Sequence, residues 1–192
     1  MMVKICGITN LEDALAAVDG GAAALGFNFW PRSPRYVTPG AAARVIEKLP
    51  ANVWKVGVFV DAGREALVGI ARAAPLDVVQ LHGREAASDF PVGPRVWKAM
   101  RIAADFDSGS LDQYPAEAIL LDGPANGVTF DWTLAAASSK KIIIAGGLDA
   151  GNVRRAIDQA RPWGVDACSL LESAPGKKDH VKMAEFLKAA LS

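Results

Sequence analysis

The chain has 192 residues, of which 51% are hydrophobic, and this length and composition suit one globular domain over residues 1–192. Lysine plus arginine equals aspartate plus glutamate at 21 each, so no net charge attracts nucleic acid or an anionic membrane surface. The sequence shows no apolar run of membrane-spanning length and no signal-peptide pattern, which predicts a cytoplasmic protein without a membrane partner.

The cysteines and histidines indicate neither a disulfide framework nor a metal site. Two cysteines, Cys6 and Cys168, are too few for a disulfide-framed secreted protein, so we predict two free thiols. His82 and His180 lie far apart and have no metal-ligand spacing with the cysteines. We therefore expect no bound metal.

The first strand of the chain ends on a thiol. Residues 3–9 form a short, β-branched run that contains Gly7 near its end, and Asn10 is predicted to cap a helix over residues 11–18. Cys6 therefore lies near the carboxyl end of a strand, where ligands and catalytic groups collect in parallel α/β folds. A free cysteine is also among the most buried residue types, so a packing role for Cys6 stays open.

Strands and helices alternate along the rest of the chain. Further strands are predicted over residues 22–30, 53–60, 78–83, 95–102, 118–122, 141–145 and 165–169. Helices are predicted over residues 39–49, 64–74, 104–113, 132–138, 150–160 and 178–191, and a two-proline loop over 31–37. Eight such units predict a (β/α)8 TIM barrel in the α/β class. An open doubly wound sheet is the alternative, but its glycine-rich turn after the first strand is missing.

A barrel would bring the residues at the strand ends to one mouth. These residues are Cys6, Arg35, Asp61, His82, Asp122, Gly146, Gly147 and Ser169. A thiol and a carboxylate suit a proton-transfer pair, because a base and an acid must approach a substrate from different sides. Cys6 would be the base if its pKa were lowered, and Asp122 the acid if a dry pocket raised its pKa. Asp122 could instead cap a helix or pair at the surface.

Three further features of these strand ends could bind a charged ligand. Arg35 lies in the rigid two-proline loop, and its guanidinium suits a carboxylate, although a solvated arginine is the commoner case. His82 could be a ligand or a structural histidine. Gly146, Gly147 and the turn after the eighth strand occupy the place where such barrels bind phosphate through backbone amides. Glycines there could also serve a tight turn.

Motifs along the whole chain resemble one family, the phosphoribosylanthranilate isomerases of tryptophan biosynthesis. They lie at residues 4–9 (KICGIT), 26–27 and 33–37 (SPRYV), 56–60 (VGVFV), 80–83 (QLHG), 121–122, 130–132 (FDW), 145–148 (AGGL), 152–153 and 172–179 (ESAPGKKD). The resemblance implies a (β/α)8 barrel that converts N-(5-phosphoribosyl)anthranilate to 1-(2-carboxyphenylamino)-1-deoxyribulose 5-phosphate, the third step from chorismate. This reaction is an Amadori rearrangement, an intramolecular oxidoreduction that needs no cofactor.

The resemblance also implies roles for single residues. Cys6 matches the family's general base, Asp122 its general acid, and Arg35 the arginine that holds the anthranilate carboxylate. The resemblance implies that the phosphate is bound by Gly146, Gly147, Ser169 and Leu170. It implies supporting roles near the mouth for His82 and Asp166. The only partner expected is the small phosphosugar–anthranilate substrate, bound by a monomer or a homodimer.

Two loops of the chain depart from the family pattern. The loop after Asp122 is shortened and lacks the glycine pair that usually precedes Phe-Asp-Trp. After the eighth strand, the pattern Val-Ser-Ser-Gly-Val-Glu is replaced by Ala-Cys-Ser-Leu-Leu-Glu at residues 167–172. Leu170 would crowd the phosphate if the backbone there needed a positive φ, and we expect weaker phosphate binding.

These departures leave two other functions open. One is a barrel that binds a phosphosugar or a partner protein without turnover. The other is the related aminoaldose isomerase of histidine biosynthesis, in which we expect an aspartate at the base position, so Cys6 argues against it.

Overall fold

A computed structural model of the chain describes residues 1–91, 93–103, 106–125, 127–137 and 139–192. Eight parallel strands form a closed barrel in sequence order. The strands are β1 (Met2–Ile5), β2 (Ala24–Asn28), β3 (Trp54–Phe59), β4 (Val78–Leu81), β5 (Arg95–Arg101), β6 (Ala118–Asp122), β7 (Lys141–Ile144) and β8 (Gly164–Ala167). The first and last strands pair from Met2 opposite Gly164 to Ile5 opposite Ala167, which closes the barrel and confirms the predicted fold.

The strands are connected by α-helices on one part of the barrel and by shorter turns on the other. The described residues contain the helices α1 (Leu11–Asp19), α2 (Pro39–Ile46), α3 (Arg64–Ala73), α4 (Val153–Ala160) and α5 (His180–Leu191). After β8, the ribbon of β9 (Glu172–Ala174) and β10 (Lys177–Lys178) leads to α5. In the described part of the chain, no helix is long and apolar enough to cross a membrane.

Two predicted helices, over residues 104–113 and 132–138, are 3₁₀ helices where the structure describes them, and no helix was predicted between β4 and β5. After β4, β5 and β6 the described residues form only 3₁₀ helices, over Ala87–Asp89, Ser108–Gln113 and Trp132–Ala137. The ends of the helices predicted over 104–113 and 132–138 lie outside the described residues at 104, 105 and 138. Asp107 caps the second of these 3₁₀ helices by accepting a hydrogen bond from the Gly109 amide, and Asp131, just before the third, accepts one from the Thr133 amide.

The barrel interior is apolar at one end and polar at the other. Trp54, Trp97 and Trp163 close the amino end, with ring centroids 5.7 to 5.9 Å apart. Nearer the carboxyl ends of the strands, buried Lys4 and Asp166 line the interior. Buried charged groups need partners, and Lys4 and Asp166 are paired with each other. This buried pair lies at the end of the barrel where the site was predicted.

Asp13 joins the first helix to the last. Asn10 caps α1 as predicted, accepting a hydrogen bond from the Asp13 amide at 2.8 Å. The buried Asp13 carboxylate accepts hydrogen bonds from the Lys178 amide and Asn10 Nδ2, and contacts His180 Nε2, each at 2.8 Å. Burial alone would raise the pKa of Asp13, but these partners outweigh it and lower the pKa from 3.8.

An Asp13→Asn variant is expected to lose about 1–3 kcal/mol of unfolding free energy near neutral pH, because buried donors lose their charged acceptor. The folded pKa of Asp13 is lowered, so the carboxylate stabilises the fold above pH 3.8 and this contribution is lost as the pH falls through the folded pKa. Denaturant unfolding should therefore show a wild-type advantage that shrinks in acid. A difference that stayed constant with pH would contradict this, and Glu12→Gln, an exposed change in the same helix, is the control.

Candidate active site

A cavity opens at the carboxyl ends of the strands. It holds about 820 Å³ of space, including the open solvent at its mouth. The structure brings nine of the predicted residues to its lining, namely Cys6, Arg35, His82, Asp122, Gly146, Gly147, Asp166, Ser169 and Leu170. Asp61, which was also expected at the mouth, does not line this cavity; its carboxylate accepts a hydrogen bond from the Arg84 amide instead. Residues from both ends of the sequence therefore meet at one surface, as the barrel fold predicts. Among the described residues, no group of three or more histidine, cysteine or acidic side chains is placed to hold a metal ion.

The Cys6 thiol lies beside a second thiol that the sequence analysis did not assign to the site. The Cys6 amide donates to the Ala167 carbonyl at 2.9 Å, so the next residue along, Cys168, adjoins Cys6. A hydrogen bond from Cys168 is the main cause that holds the pKa of Cys6 well below 9.0; burial opposes this shift, and the Lys4 and Lys178 ammonium groups favour it. The same hydrogen bond, together with burial, raises the pKa of Cys168.

A buried ion pair lies beneath Cys6. Lys4 precedes Cys6 by two residues on β1 and shares its face of the strand, and Lys4 Nζ lies 2.9 Å from Asp166 Oδ1. Burial disfavours the charged form of Lys4, but Asp166 and Cys6 outweigh it and raise the pKa of Lys4. Burial raises the pKa of Asp166 to about 7, against the attraction of Lys4. The result is a cation fixed next to the Cys6 thiol.

Asp122 ends β6 and is held by groups on two sides. Its Oδ1 accepts a hydrogen bond from the Gly123 amide at 3.0 Å, and its Oδ2 lies 3.4 Å from His82 Nε2. Gln80 Nε2 lies 3.4 Å from His82 Nδ1. With the Gln80 amide in this orientation its nitrogen donates to Nδ1, and the ring proton then lies on Nε2, directed at Asp122.

The sequence analysis expected the Arg35 guanidinium to be available to a ligand at the mouth. In the structure Arg35 is instead paired with another side chain. Its guanidinium binds the Glu172 carboxylate in a two-pronged contact, with Nε 2.8 Å from Oε1 and Nη2 2.7 Å from Oε2. Lys178 Nζ lies 3.0 Å from the same carboxylate. Burial opposes ionisation of Glu172, but Arg35 and Lys178 prevail and lower the pKa of that carboxyl. Glu172 and Lys178 belong to the ESAPGKKD motif. The charged residues of that motif could have indicated a partner for Arg35.

The two glycines after β7 adopt conformations that favour glycine. Gly146 and Gly147 have φ angles of +79° and +63°. The Gly147 carbonyl accepts a hydrogen bond from Asn152 Nδ2 at 2.7 Å. A side chain at Gly147 would come within 2.7 Å of the carbonyl oxygen of Gly127, the glycine of the shortened loop after Asp122. These glycines therefore allow two loops to pack backbone against backbone.

Leu170 does not need the conformation that would have made it crowd the cavity. It lies in a 3₁₀ turn over Ser169–Leu171, and the described non-glycine residues with positive φ are Asp61 and Arg161. Crowding of the phosphate was predicted only if the backbone at Leu170 had a positive φ, and it does not. Within the described ranges, the amides of Gly147 and Ser169 donate no hydrogen bond to another residue, so both can donate to an anion.

Comparison with known proteins points to one activity. Residues 3–189 match the family model for N-(5'-phosphoribosyl)anthranilate (PRA) isomerase. The N-(5'-phosphoribosyl)anthranilate isomerase of Solibacter usitatus is 56% identical over 196 residues, covering 99% of this chain and 97% of the relative. A crystal structure of phosphoribosyl anthranilate isomerase in complex with reduced 1-(o-carboxyphenylamino)-1-deoxyribulose 5-phosphate is similar with a TM-score of 0.88 and 40% identity, covering 100% of this chain and 98% of that one. A crystal structure of monomers generated from the dimeric phosphoribosylanthranilate isomerase of Thermotoga maritima is similar with a TM-score of 0.86 and 40% identity. The match covers 100% of this chain and 98% of that one.

Proposed function

This chain belongs to the N-(5'-phosphoribosyl)anthranilate isomerase family, and we propose that Cys6 and Asp122 are the base and acid of its isomerase reaction. The reaction is the rearrangement of N-(5'-phosphoribosyl)anthranilate in tryptophan biosynthesis. One observation carries the assignment: the two groups line the same cavity from β1 and β6, which are separated by two intervening strands around the barrel. A substrate between them would meet a base and an acid from different sides.

Asp122 acts first, on the sugar ring. It donates a proton to the furanose ring oxygen, the bond between that oxygen and the anomeric carbon breaks, and the open sugar is left as a Schiff base with the anthranilate nitrogen. His82 Nε2 and the Gly123 amide then donate to the carboxylate that forms. Gln80 in the orientation described supports this step indirectly, since its amide donates to Nδ1 of His82 and the ring proton then lies on Nε2.

Cys6 acts second, on the carbon next to the Schiff base. The thiolate takes the C2 proton, the electron pair moves toward the imine nitrogen, and the enolamine that results tautomerises to the ketone. A base must be deprotonated before it can act, and Cys168 and Lys4 favour the thiolate. Lys4 and Cys168 are positioning residues in this scheme.

The two ends of the substrate are bound by different parts of the mouth. We assign the phosphate to the loop of Gly146 and Gly147 and to the turn at Ser169 and Leu170, where free amides can donate to its oxygens. Glu172 binds Nε and Nη2 of Arg35, which leaves Nη1 for the anthranilate carboxylate. The related structure with the reduced product carries a ligand with these same two anionic ends. A contact between Asp166 and the substrate stays a prediction. So does the assembly of this chain as a monomer or a homodimer.

A fluorescence assay tests the acid-base assignment. Purified protein is given N-(5-phosphoribosyl)anthranilate generated in place, and the loss of substrate fluorescence is followed for the wild type, Cys6→Ala and Asp122→Ala. We expect turnover in the wild type and a severe loss in both variants. A variant that kept near-normal turnover would remove its residue from the mechanism.

Removing the Cys168 thiol is expected to move the acid limb of the pH profile of kcat/KM to higher pH. Turnover falls as the pH drops through the pKa of Cys6, and the hydrogen bond from Cys168 is the largest cause that lowers this pKa. Cys168→Ala loses the donor, whereas Cys168→Ser keeps a hydroxyl, as in the family pattern. We expect the limb to shift in the alanine variant and to return toward the wild type in the serine variant. Identical limbs in all three proteins would contradict the role.

A further inference from the structure

We propose that Cys6 and Cys168 form a modification site, at which a peroxide joins the two thiols in a reversible disulfide within one chain. The two residues follow directly on a paired position of the β1–β8 seam, Ile5 opposite Ala167. Neighbouring strands lie about 4.8 Å apart, and disulfides span Cα separations of about 4.4–6.8 Å. The backbone therefore holds both cysteines within bonding reach before any oxidation.

The side chains are also placed for this bond. Both thiols line the same open cavity, so a small oxidant can reach them. On its other sides, the Cys168 sulfur lies 3.8 Å from Lys178 Nζ and 3.9 Å from Glu172 Oε1. Gly7 carries no side chain, and a Cβ there would come within 2.8 Å of the Cys168 sulfur. The missing side chain at Gly7 leaves space beside the Cys168 sulfur.

The first chemical step is attack by the Cys6 thiolate on one oxygen of the peroxide. A sulfur–oxygen bond forms, the oxygen–oxygen bond breaks, and the departing oxygen takes a proton and leaves as water. Cys6 is oxidised to a sulfenic acid and the peroxide is reduced. This step needs thiolate character and access, and the cations near Cys6 and the open cavity supply them.

In the second step Cys168 attacks the sulfur of the sulfenic acid. The sulfur–sulfur bond forms, the sulfur–oxygen bond breaks, and hydroxide leaves with the thiol proton as a second water. The negative charge that faced Cys168 is gone once Cys6 is a neutral sulfenic acid, so the main obstacle to ionising Cys168 is removed. Lys178 Nζ, at 3.8 Å, then favours the Cys168 thiolate.

The effect on turnover rests on the proposed function, because the disulfide removes the base only if Cys6 is the base. Formation of the bond does not depend on that assignment. A dithiol reductant would break the bond by thiol–disulfide exchange and return both thiols. Oxidation beyond the sulfenic acid would instead be irreversible. The disulfide with Cys168 therefore inactivates Cys6 reversibly and protects it from that irreversible oxidation.

The experiment treats the purified full chain with hydrogen peroxide, removes the excess, and counts thiols in denaturant. Because the chain has two cysteines, the count should fall from two to none. The intact mass should fall by two hydrogens, the protein should stay a single chain on a non-reducing gel, and dithiothreitol should restore turnover to its untreated value. A wild type that gained oxygen, kept a free thiol or linked two chains would overturn the proposal.

Cys168→Ser is the matched control, with its turnover compared with its own untreated value. It lacks the resolving thiol, so under excess peroxide its Cys6 should pass beyond the sulfenic acid, which dithiothreitol reduces, to a sulfinic acid with two added oxygens, which dithiothreitol does not reduce. Equal recovery in both proteins would overturn the proposal. A disulfide proven by mass that left turnover intact would instead support the modification site and refute Cys6 as the base.

Discussion

A Cys6→Ala variant is expected to lose about 10²- to 10⁴-fold in kcat, the usual contribution of a positioned proton-transfer group. KM should change little, because the thiol meets only the C2 proton and holds neither end of the substrate. The measurement is the initial rate of loss of substrate fluorescence at several substrate concentrations. The effect is large because, in our assignment, the Lys4 and Cys168 contacts serve to keep this one thiol ionised.

Two comparisons separate catalysis from packing at this position. Cys6→Ser keeps the shape of the side chain but replaces a thiolate with a far weaker acid, so its kcat should stay low. A change in circular dichroism or in the unfolding midpoint would show that the alanine variant had lost structure. If Cys6 were only a packing residue, the serine variant would turn over normally, and that result would refute the base.

Asp122→Asn is expected to be nearly as severe, with kcat lowered about 10²- to 10⁴-fold, because an amide cannot deliver a proton to the ring oxygen. The change preserves shape, and the asparagine oxygen can still accept the Gly123 amide hydrogen bond seen at 3.0 Å. KM and the unfolding free energy should therefore stay close to those of the wild type. Steady-state kinetics by the same fluorescence assay gives both constants.

The control for Asp122 lies in the same β6–β7 connection. Asp131 is exposed and bonded to Thr133, and it does not line the cavity. Asp131→Asn should keep normal kcat. Equal losses in the two variants would show that the connection as a whole, and not the proton of Asp122, controls turnover.

The barrel could be predicted because each strand has a local signature. A parallel strand covered on both faces is a short apolar run, and β6 was predicted with the bounds that the structure gives, Ala118–Asp122. The short 3₁₀ helices after β4, β5 and β6 were not predicted as such, since the sequence predicted α-helices over 104–113 and 132–138 and none after β4. Apolar spacing does not separate a short 3₁₀ helix from an α-helix, and a cap such as Asp107, which accepts a hydrogen bond from the Gly109 amide, is compatible with either.

The candidate site was predictable where a residue's place on its own strand decides its role. Cys6 and Asp122 follow from the rule that strand ends meet at one mouth. The partners of these residues were not predictable in that way. Lys4 pairs with Asp166 across 162 residues, and Cys6 meets Cys168 only through the register of β1 and β8. A lysine inside the apolar run of β1 was nevertheless a signal, since a fully buried lysine needs an anion.

The seam between β1 and β8 also sets the order in which the enzyme can come into being. During synthesis β1 leaves the ribosome first and its partner strand last, so the edge of β1 waits unpaired while the intervening residues are made. An unpaired edge strand invites pairing with other chains. Until Gly164–Ala167 has docked, Cys6 has neither its neighbouring thiol nor the Lys4–Asp166 pair beneath it. With Cys6 as the base that we propose, a nascent or truncated chain would gain activity only when the barrel closes.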